Sequence, residues 1–296
     1  MIIIKLLLKN KYMDANISSH TLFHFTSNKN SLLNILKNGF YVRYSLENFE
    51  SLINDKAEIV FPMTCFCDIP LSQVRRHTNT YGKYAIGLTK TWGMKNQINP
   101  IIYTYPNSAT TSILNEIFNN IENFFDIDEI ELEKIKINKS VETLYDKFND
   151  RENEFSKRVE SVNSKLSHFI RYIKPYEGKF YRDGKYLDNL VRFYDEREWR
   201  FTPSREFLLS KEMKDSYKSE YFIDPRKRRA LNIKLAKHIK LEFEPNDVKF
   251  IIVNRDKEIP EMIKNLEQIF GETASSNVLK LLGTRLISLE QILEDL

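Results

Sequence analysis

Glycine and cysteine are scarce in this chain, and no apolar run approaches the length of a membrane helix. It holds 8 glycines and 2 cysteines in 296 residues. It contains no Walker loop and no G-x-G-x-x-G, G-x-S-x-G or H-E-x-x-H motif, which disfavours the common kinase, Rossmann and hydrolase chemistries. Cys65 and Cys67 are too close in the chain for an ordinary disulfide, and no second pair completes a structural zinc site. We therefore expect a reduced, cytoplasmic protein without a bound metal or a membrane partner.

The composition that remains is that of a folded protein. Apolar residues make up 42%, aromatic residues 12% and charged residues 29%, with a formal net charge of +4. A chain of this size and polarity can bury a large core, which excludes disorder. The opening MIIIKLLL is short and interrupted by Lys5, so it indicates a leading strand or an over-extended start, with Met1 or Met13 as the initiator.

Hydrophobic periodicity predicts an α+β protein. Strands are predicted at 21–27, 58–67, 84–89, 99–105, 191–202 and 248–253. Helices are predicted at 28–39 with Ser31 or Asn30 as cap and Gly39 at the end, at 71–82 ended by Gly82, at 259–270 and at 287–296. Residues 108–172 have helical periodicity with few glycines or prolines. The predicted organisation is an extension at 1–19, half of an α/β core at 20–107, a helical insertion at 108–175 and the other half at 176–296.

Two strand segments place polar side chains together. His24 and Thr26 alternate with Phe23 and Phe25, so imidazole and hydroxyl share one face. That pair could present itself to a ligand, or His24 could be a half-buried residue bonded to backbone.

On the predicted strand 191–202, Glu196, Glu198 and Arg200 share one face. Paired carboxylates suit a general base or the stabilisation of a cationic transition state, and the alternative is a solvated strand face.

Basic residues gather in two places. Arg75 and Arg76 precede His77, and Arg226 and Arg228 belong to a run of four basic residues at 226–229. Such runs are either solvated surface or contacts to the phosphates of a nucleic acid or dinucleotide.

Four segments resemble the AbiGi family of abortive phage-infection proteins. The similarity spans about residues 20–105 and 190–260, and its most specific parts are CFCDIPLS, YGKYAIGLTK and DEREWR. Members of that family are described as antitoxins of two-gene systems. The resemblance therefore implies a role in phage defence and a partner, either toxin or antitoxin, from a neighbouring gene.

The order of these elements is also similar to that of ADP-ribosyltransferases of the His-Tyr-Glu class and of DarT-like DNA modifiers. This similarity implies a split β-sheet core with a helical insertion, and NAD as the substrate. His24 would bind the adenosine ribose, with Thr26 beside it. Phe66 would be the aromatic residue on the strand, and Tyr81, with Tyr84 as the alternative, the aromatic residue on the helix.

The same similarity implies that Glu198 is catalytic, with Glu196 as the second acidic residue. Arg200 and the two basic clusters would contact substrate or phosphate. The first hypothesis is therefore an NAD-dependent ADP-ribosyltransferase toxin of a phage-defence system, which modifies a nucleic acid or a protein. The alternative is a non-catalytic AbiGi-type antitoxin or regulatory binding protein with a degenerate pocket.

Overall fold

The computed structural model of the chain describes residues 19–52, 58–116, 157–158, 161–162, 164–182, 184–272 and 274–295. A mixed sheet covered by helices confirms the α+β class. The strands are β1 Thr21–Thr26, β2 Phe40–Tyr41, β3 Arg43–Asn48, β4 Glu58–Cys67, β5 Tyr84–Thr89, β6 Asn99–Pro100, β7 Ile102–Thr104, β8 Ile173–Pro175, β9 Tyr181–Arg182, β10 Lys185–Tyr186, β11 Glu198–Phe201, β12 Tyr217–Lys218, β13 Lys240–Leu241, β14 Val248–Val253 and β15 Leu286–Ser288. The helices that bear on the fold are α1 Lys29–Asn38, α2 Val74–Tyr81, α3 Lys90–Lys95, α4 Arg205–Ser210, α5 Glu220–Ile223, α6 Pro225–Ala236, α7 Ile259–Phe270, α8 Ser276–Gly283 and α9 Leu289–Asp295.

The main sheet runs in the order β15-β14-β5-β1-β4-β11-β6, and all of its pairings except β14 with β15 are antiparallel. Helices α1, α3, α7 and α8 cover one face of the β15–β1 half, over a core that includes Leu22, Ile86 and Trp92. Helices α2 and α9 cover the other face, over Phe23, Phe25 and Ile252. This alternation along β1 follows from the two-residue period of a strand.

Strand β4 joins the two halves of the molecule. Its C-terminal end pairs with β11 on one edge and meets β1 at a single position, Phe23 opposite Cys67. Its N-terminal half, from Glu58 to Met63, pairs with β3, with Met63 opposite Arg43. The same half also pairs with β12. Strands β1 and β3 follow the same edge of β4, because residues of both line one cleft beside Thr64 and Cys65. The sheet therefore opens between β1 and β3.

Several predicted elements are confirmed. The strands at 58–67, 84–89 and 248–253 have the predicted bounds, and the first strand ends one residue early. Gly39 and Gly82 end α1 and α2 with positive φ angles of 79° and 117°. Helix α1 is capped by Asn28, whose side chain accepts from Ser31 N, so the predicted caps Ser31 and Asn30 were wrong by two or three residues.

Other predicted elements differ from the structure. The strand predicted at 99–105 is divided by Ile101 into β6 and β7. Residues 173–175, at the end of the predicted helical insertion, form β8 and pair with β7 in parallel, because the residue before Pro175 favours extended backbone. Of the predicted insertion, 109–116 and 164–169 are helical, and residues 117–156 lie outside the described residues. The predicted helix 287–296 begins only after β15, at Leu289.

The predicted strand 191–202 was wrong over its first half. Residues Phe193–Glu196 form a 3-10 turn, and Arg197 adopts a left-handed conformation with φ 46° before β11 starts at Glu198. Glu196 and Glu198 therefore do not share a face by strand alternation. They meet because the turn folds Glu196 back toward the same buried lysine that Glu198 binds.

Candidate functional site

A buried cluster of charges lies where β8 approaches β11. Lys174 donates to Glu196 Oε2 at 2.8 Å and to Glu198 Oε2 at 2.9 Å. Arg200 donates from Nε to the other oxygen of Glu198 at 2.7 Å, and its Nη2 lies 3.4 Å from Glu47 Oε2. We call these five residues the Lys174 cluster. The fractional exposures are 0% for Arg200, 5% for Glu198 and 6% for Lys174, so these three are buried, whereas Glu47 is half-buried at the border of the group.

The aromatic surroundings of the cluster complete its hydrogen bonding. The Tyr81 hydroxyl donates to Glu196 Oε1 in a short hydrogen bond, and the Glu198 amide donates to the Tyr103 hydroxyl at 2.8 Å. The Lys174 ammonium lies 4.4 Å from the centre of the Phe193 ring. Buried charges persist when they are paired and hydrogen-bonded in this way.

The two carboxylates titrate in opposite directions. Burial raises the pKa of Glu196, and the neighbouring Glu198 adds to the rise against the opposing effect of Lys174. Burial acts to raise the pKa of Glu198 as well, but Arg200 and Lys174 together hold that pKa below its usual range. Such a split is typical of catalytic pairs, and structural ion networks also produce it.

His24 lies on the opposite face of the sheet. Phe23, Cys67 and Glu198 stand in one row across β1, β4 and β11, so their side chains share a face. His24 alternates with Phe23, and its ring contacts Phe40 and Phe66 at centroid distances of 5.2 and 5.7 Å. The expected convergence of His24, Tyr81 and Glu198 on one cleft was therefore wrong, because the sheet itself separates His24 from the other two.

A polar cleft of about 570 Å³ occupies the opening between β1 and β3. We call it the β1–β3 cleft. Its wall includes His24, Thr26, Arg43, Ser45 and Thr64, together with the first turns of α1. The lining residues include no aspartate or glutamate among those that the structure describes.

His24 is held in one tautomer at this cleft. Its Nδ1 lies 2.8 Å from the Cys65 carbonyl oxygen, which can only accept, so Nδ1 carries the hydrogen. Burial, with a smaller effect of Arg43, lowers the pKa of His24 against the opposing bond to Cys65. The neutral ring therefore leaves Nε2 as a hydrogen-bond acceptor.

Of the five residues expected to hold NAD, only His24 and Thr26 line the cleft. Phe66 is 2% exposed and packs within the core, which leaves its ring no face for a ligand. Tyr81 belongs to the Lys174 cluster on the other face, and the Tyr84 hydroxyl donates to Glu258 at 2.9 Å. The expected residue set therefore does not assemble around a dinucleotide.

The arginines expected to contact substrate are dispersed. Arg200 lies in the Lys174 cluster, and the Arg228 guanidinium lies 4.9 Å from the Phe222 ring centre on α6. Arg75 donates to the Leu293 carbonyl, and Arg76, 3.8 Å from Asp195, projects into solvent, as does Arg226. None of these five lines the β1–β3 cleft.

Sequence reasoning missed three residues that matter. Lys174 fell in a segment interpreted as helix, although Pro175 after it indicated extended backbone. Arg43 and Thr64 became visible only once β3 and β4 were paired. An alternation of Val42, Tyr44 and Leu46 was the signal that could have revealed β3.

The described residues hold no group of three or more histidine, cysteine, aspartate or glutamate side chains arranged to bind a metal ion. Cys65 and Cys67 are both free thiols, and burial raises the pKa of each, with Glu198 adding to the rise at Cys65 and Glu196 at Cys67. Within the described ranges, each helix is too short or too polar to cross a membrane.

Comparison with known proteins identifies the family. Residues 38–254 match the sequence model described as "Putative abortive phage resistance protein AbiGi, antitoxin". The chain is 29% identical to the abortive phage resistance protein AbiGi of Lactococcus lactis subsp. cremoris, over 73% of this chain and 82% of that protein. No solved structure matches the chain. The family model covers most of the chain, including strands β3 and β4 beside the cleft and all residues of the Lys174 cluster. The chain therefore belongs to the AbiGi family of abortive phage resistance proteins.

Proposed function

We propose that this protein acts in phage defence as the antitoxin-type component of a two-gene system, by binding a cognate toxin rather than by chemistry at Glu198. The description of its family as an antitoxin supports this role. We place its action in the cytoplasm, with the toxin as its partner.

One observation carries the proposal. Both oxygens of the Glu198 carboxylate are held, one by Lys174 and the other by Arg200, at 5% exposure. A catalytic carboxylate has to reach the reacting atoms of a substrate. Exposing Glu198 would break two buried ion pairs, each of which costs about 3–5 kcal/mol when one partner is lost. The cluster is therefore better suited to hold β8 and β11 together than to catalyse.

The experiment is co-expression with the products of the neighbouring genes. We expect this chain to rescue growth from one of them and to co-purify with it. Glu198→Gln should reduce rescue only as far as it lowers the amount of folded protein, and an NAD-consumption assay should give the same background for wild type and variant. Growth arrest caused by this chain alone, and abolished by Glu198→Gln at equal protein level, would contradict the proposal.

A second candidate is the NAD-dependent ADP-ribosyltransferase with a split-sheet fold. The observation that favours it is the opening of the sheet beside His24 and Thr26, at the place where the resemblance puts the ribose of NAD. Its acceptor would be a nucleic acid or a protein. Incubation with labelled NAD and separate DNA, RNA and protein acceptors tests it, and transfer of label that is lost in His24→Ala but retained in Lys249→Ala, a change at an exposed position of β14, would support it over the antitoxin role.

A further inference from the structure

We propose that the β1–β3 cleft is a binding site for a mononucleotide. The proposal does not depend on the antitoxin role, nor on any reaction at Glu198. The cleft encloses about 570 Å³, within the range of about 300–1,000 Å³ that small-molecule sites occupy. It lies where the sheet opens between β1 and β3, beside helix α1. Small-molecule sites are usually pre-formed clefts of this kind between ordered elements.

The cleft carries a positive charge that suits an anion. Arg43 is exposed and forms no ion pair with any described residue, and none of the described lining residues is acidic. The guanidinium is therefore an uncompensated positive charge with a fork of donors for a phosphate. The first turn of α1 also contributes the polar side chains of Asn30 and Ser31 to the lining, and the positive end of the helix dipole favours negative charge there, although the Ser31 amide itself already donates to Asn28.

Three other lining residues are suited to hydroxyl groups. His24 offers Nε2 as an acceptor, because its Nδ1 is bound to the Cys65 carbonyl. The Asn34 side chain accepts from Asn38 through its carbonyl oxygen, which leaves its amide hydrogens to donate. Thr64 is 5% exposed, and its hydroxyl has no hydrogen-bond partner among the described residues. This unpaired hydroxyl lies in a residue of the cleft lining, where a bound polar group could supply its partner after a small side-chain rotation.

The lining also includes side chains suited to a flat apolar group. Tyr41 is half-buried and lines the cleft, as do Ile35 and Met63. An aromatic ring next to apolar side chains is suited to stacking by a base. A phosphate, a sugar with hydroxyls and a base occur together in a nucleotide, so the combination of these three kinds of lining residue favours that class over a sugar phosphate or a free anion.

The test is isothermal calorimetry on the full chain with AMP, ribose 5-phosphate, adenosine and inorganic phosphate. We expect AMP to bind most tightly. We expect Arg43→Ala to weaken AMP binding by about tenfold or more, because a charge-assisted bidentate contact is lost. We expect Asn34→Leu to weaken both AMP and adenosine. Arg229→Ala, which removes an exposed arginine from α6, is the matched control and should bind AMP as wild type does.

Three results would overturn the proposal. One is the absence of AMP binding by a chain whose circular dichroism shows it to be folded. Another is equal affinity of Arg43→Ala and Arg229→Ala for AMP. The third is binding of ribose 5-phosphate or inorganic phosphate as tightly as AMP, which would identify a general anion site. None of these outcomes bears on rescue from a toxin, so failure here is distinguishable from failure of the antitoxin role.

Discussion

Replacing Lys174 with methionine tests whether the Lys174 cluster stabilises the fold. The ammonium is the shared partner of two buried carboxylates, at 2.8 and 2.9 Å. Glu198 keeps Arg200 in the variant, whereas Glu196 keeps only the Tyr81 hydroxyl among its partners in the described residues. The loss of one partner from a buried ion pair costs about 3–5 kcal/mol, so we expect Lys174→Met to lower the free energy of unfolding by about that much at pH 7.5.

The pH dependence of this loss is a second part of the prediction. Burial already raises the pKa of Glu196, and removing Lys174 removes the main effect that opposes it. The folded variant then holds a proton on Glu196 that the unfolded chain has released at neutral pH. Stability is lost as pH rises through such a raised pKa, so the difference from wild type should be smaller at pH 5 than at pH 7.5.

The assay is urea unfolding followed by tryptophan fluorescence, and Lys179→Met is the matched control. Lys179 pairs with Glu50 at 3.1 Å, but the two side chains are 54% and 45% exposed, so the control should lose less than about 1 kcal/mol. Adding Glu196→Gln to Lys174→Met should restore part of the loss. If Lys174→Met loses no more stability than Lys179→Met at pH 7.5, the structural role of the cluster is refuted.

Three further predictions concern single residues. Gly82→Ala should lower the free energy of unfolding in urea by about 2–4 kcal/mol, because φ is 117° and a Cβ there would lie 2.3 Å from a backbone oxygen. Gly184→Ala, where a Cβ would meet no atom within 4 Å, should lower it by about 1 kcal/mol, and equal losses in the two variants would contradict this. Burial lowers the pKa of His77 from 6.5 to about 3 in the folded protein. As pH falls from 6.5 toward 3, the unfolded chain therefore binds a proton on His77 that the folded chain does not, and this favours unfolding. Between pH 6.5 and 4 the wild type should lose more stability than His77→Asn. Iodoacetamide should label Cys65 and Cys67 slowly at pH 7.5 and quickly in urea, as followed by intact mass, since burial raises the pKa of both thiols; rapid labelling of the folded chain would argue against it.

The fold could be predicted from the sequence where local pattern and tertiary environment agree. Strand β4 is a mostly apolar run with β-branched residues at Ile59, Val60 and Thr64, and α7 carries a proline in its first turn and a regular apolar stripe, so both were predicted with their bounds. The turn at 193–197 could not be predicted, because no glycine or proline separates it from the alternating residues of β11. Its shape depends on Arg197 in a left-handed conformation and on a lysine 22 residues earlier in the chain than Glu196.

The candidate site was predicted in part for a related reason. Because side chains alternate along a strand, His24 and Thr26 must lie on the same face of β1, and both line the β1–β3 cleft. Which face Glu198 occupies relative to them depends on the register of β11 against β4 and of β4 against β1, with Phe23, Cys67 and Glu198 in one row. Because a shift of one residue moves every side chain to the other face, register between distant segments decides the site, and no local pattern reports it.

The position of β1 in the sheet has a consequence for how the protein is divided. The family match covers residues 38–254, whereas β1 spans Thr21–Thr26. Strand β1 lies between β5 and β4, with six pairs to β5, so it fastens the β14-β5 half to the half that carries β11. A fragment trimmed to the limits of the match would lose the strand between them and expose two new sheet edges, which invite association with other chains. Domain boundaries for expression are therefore better set upstream of Thr21 than at the start of the match.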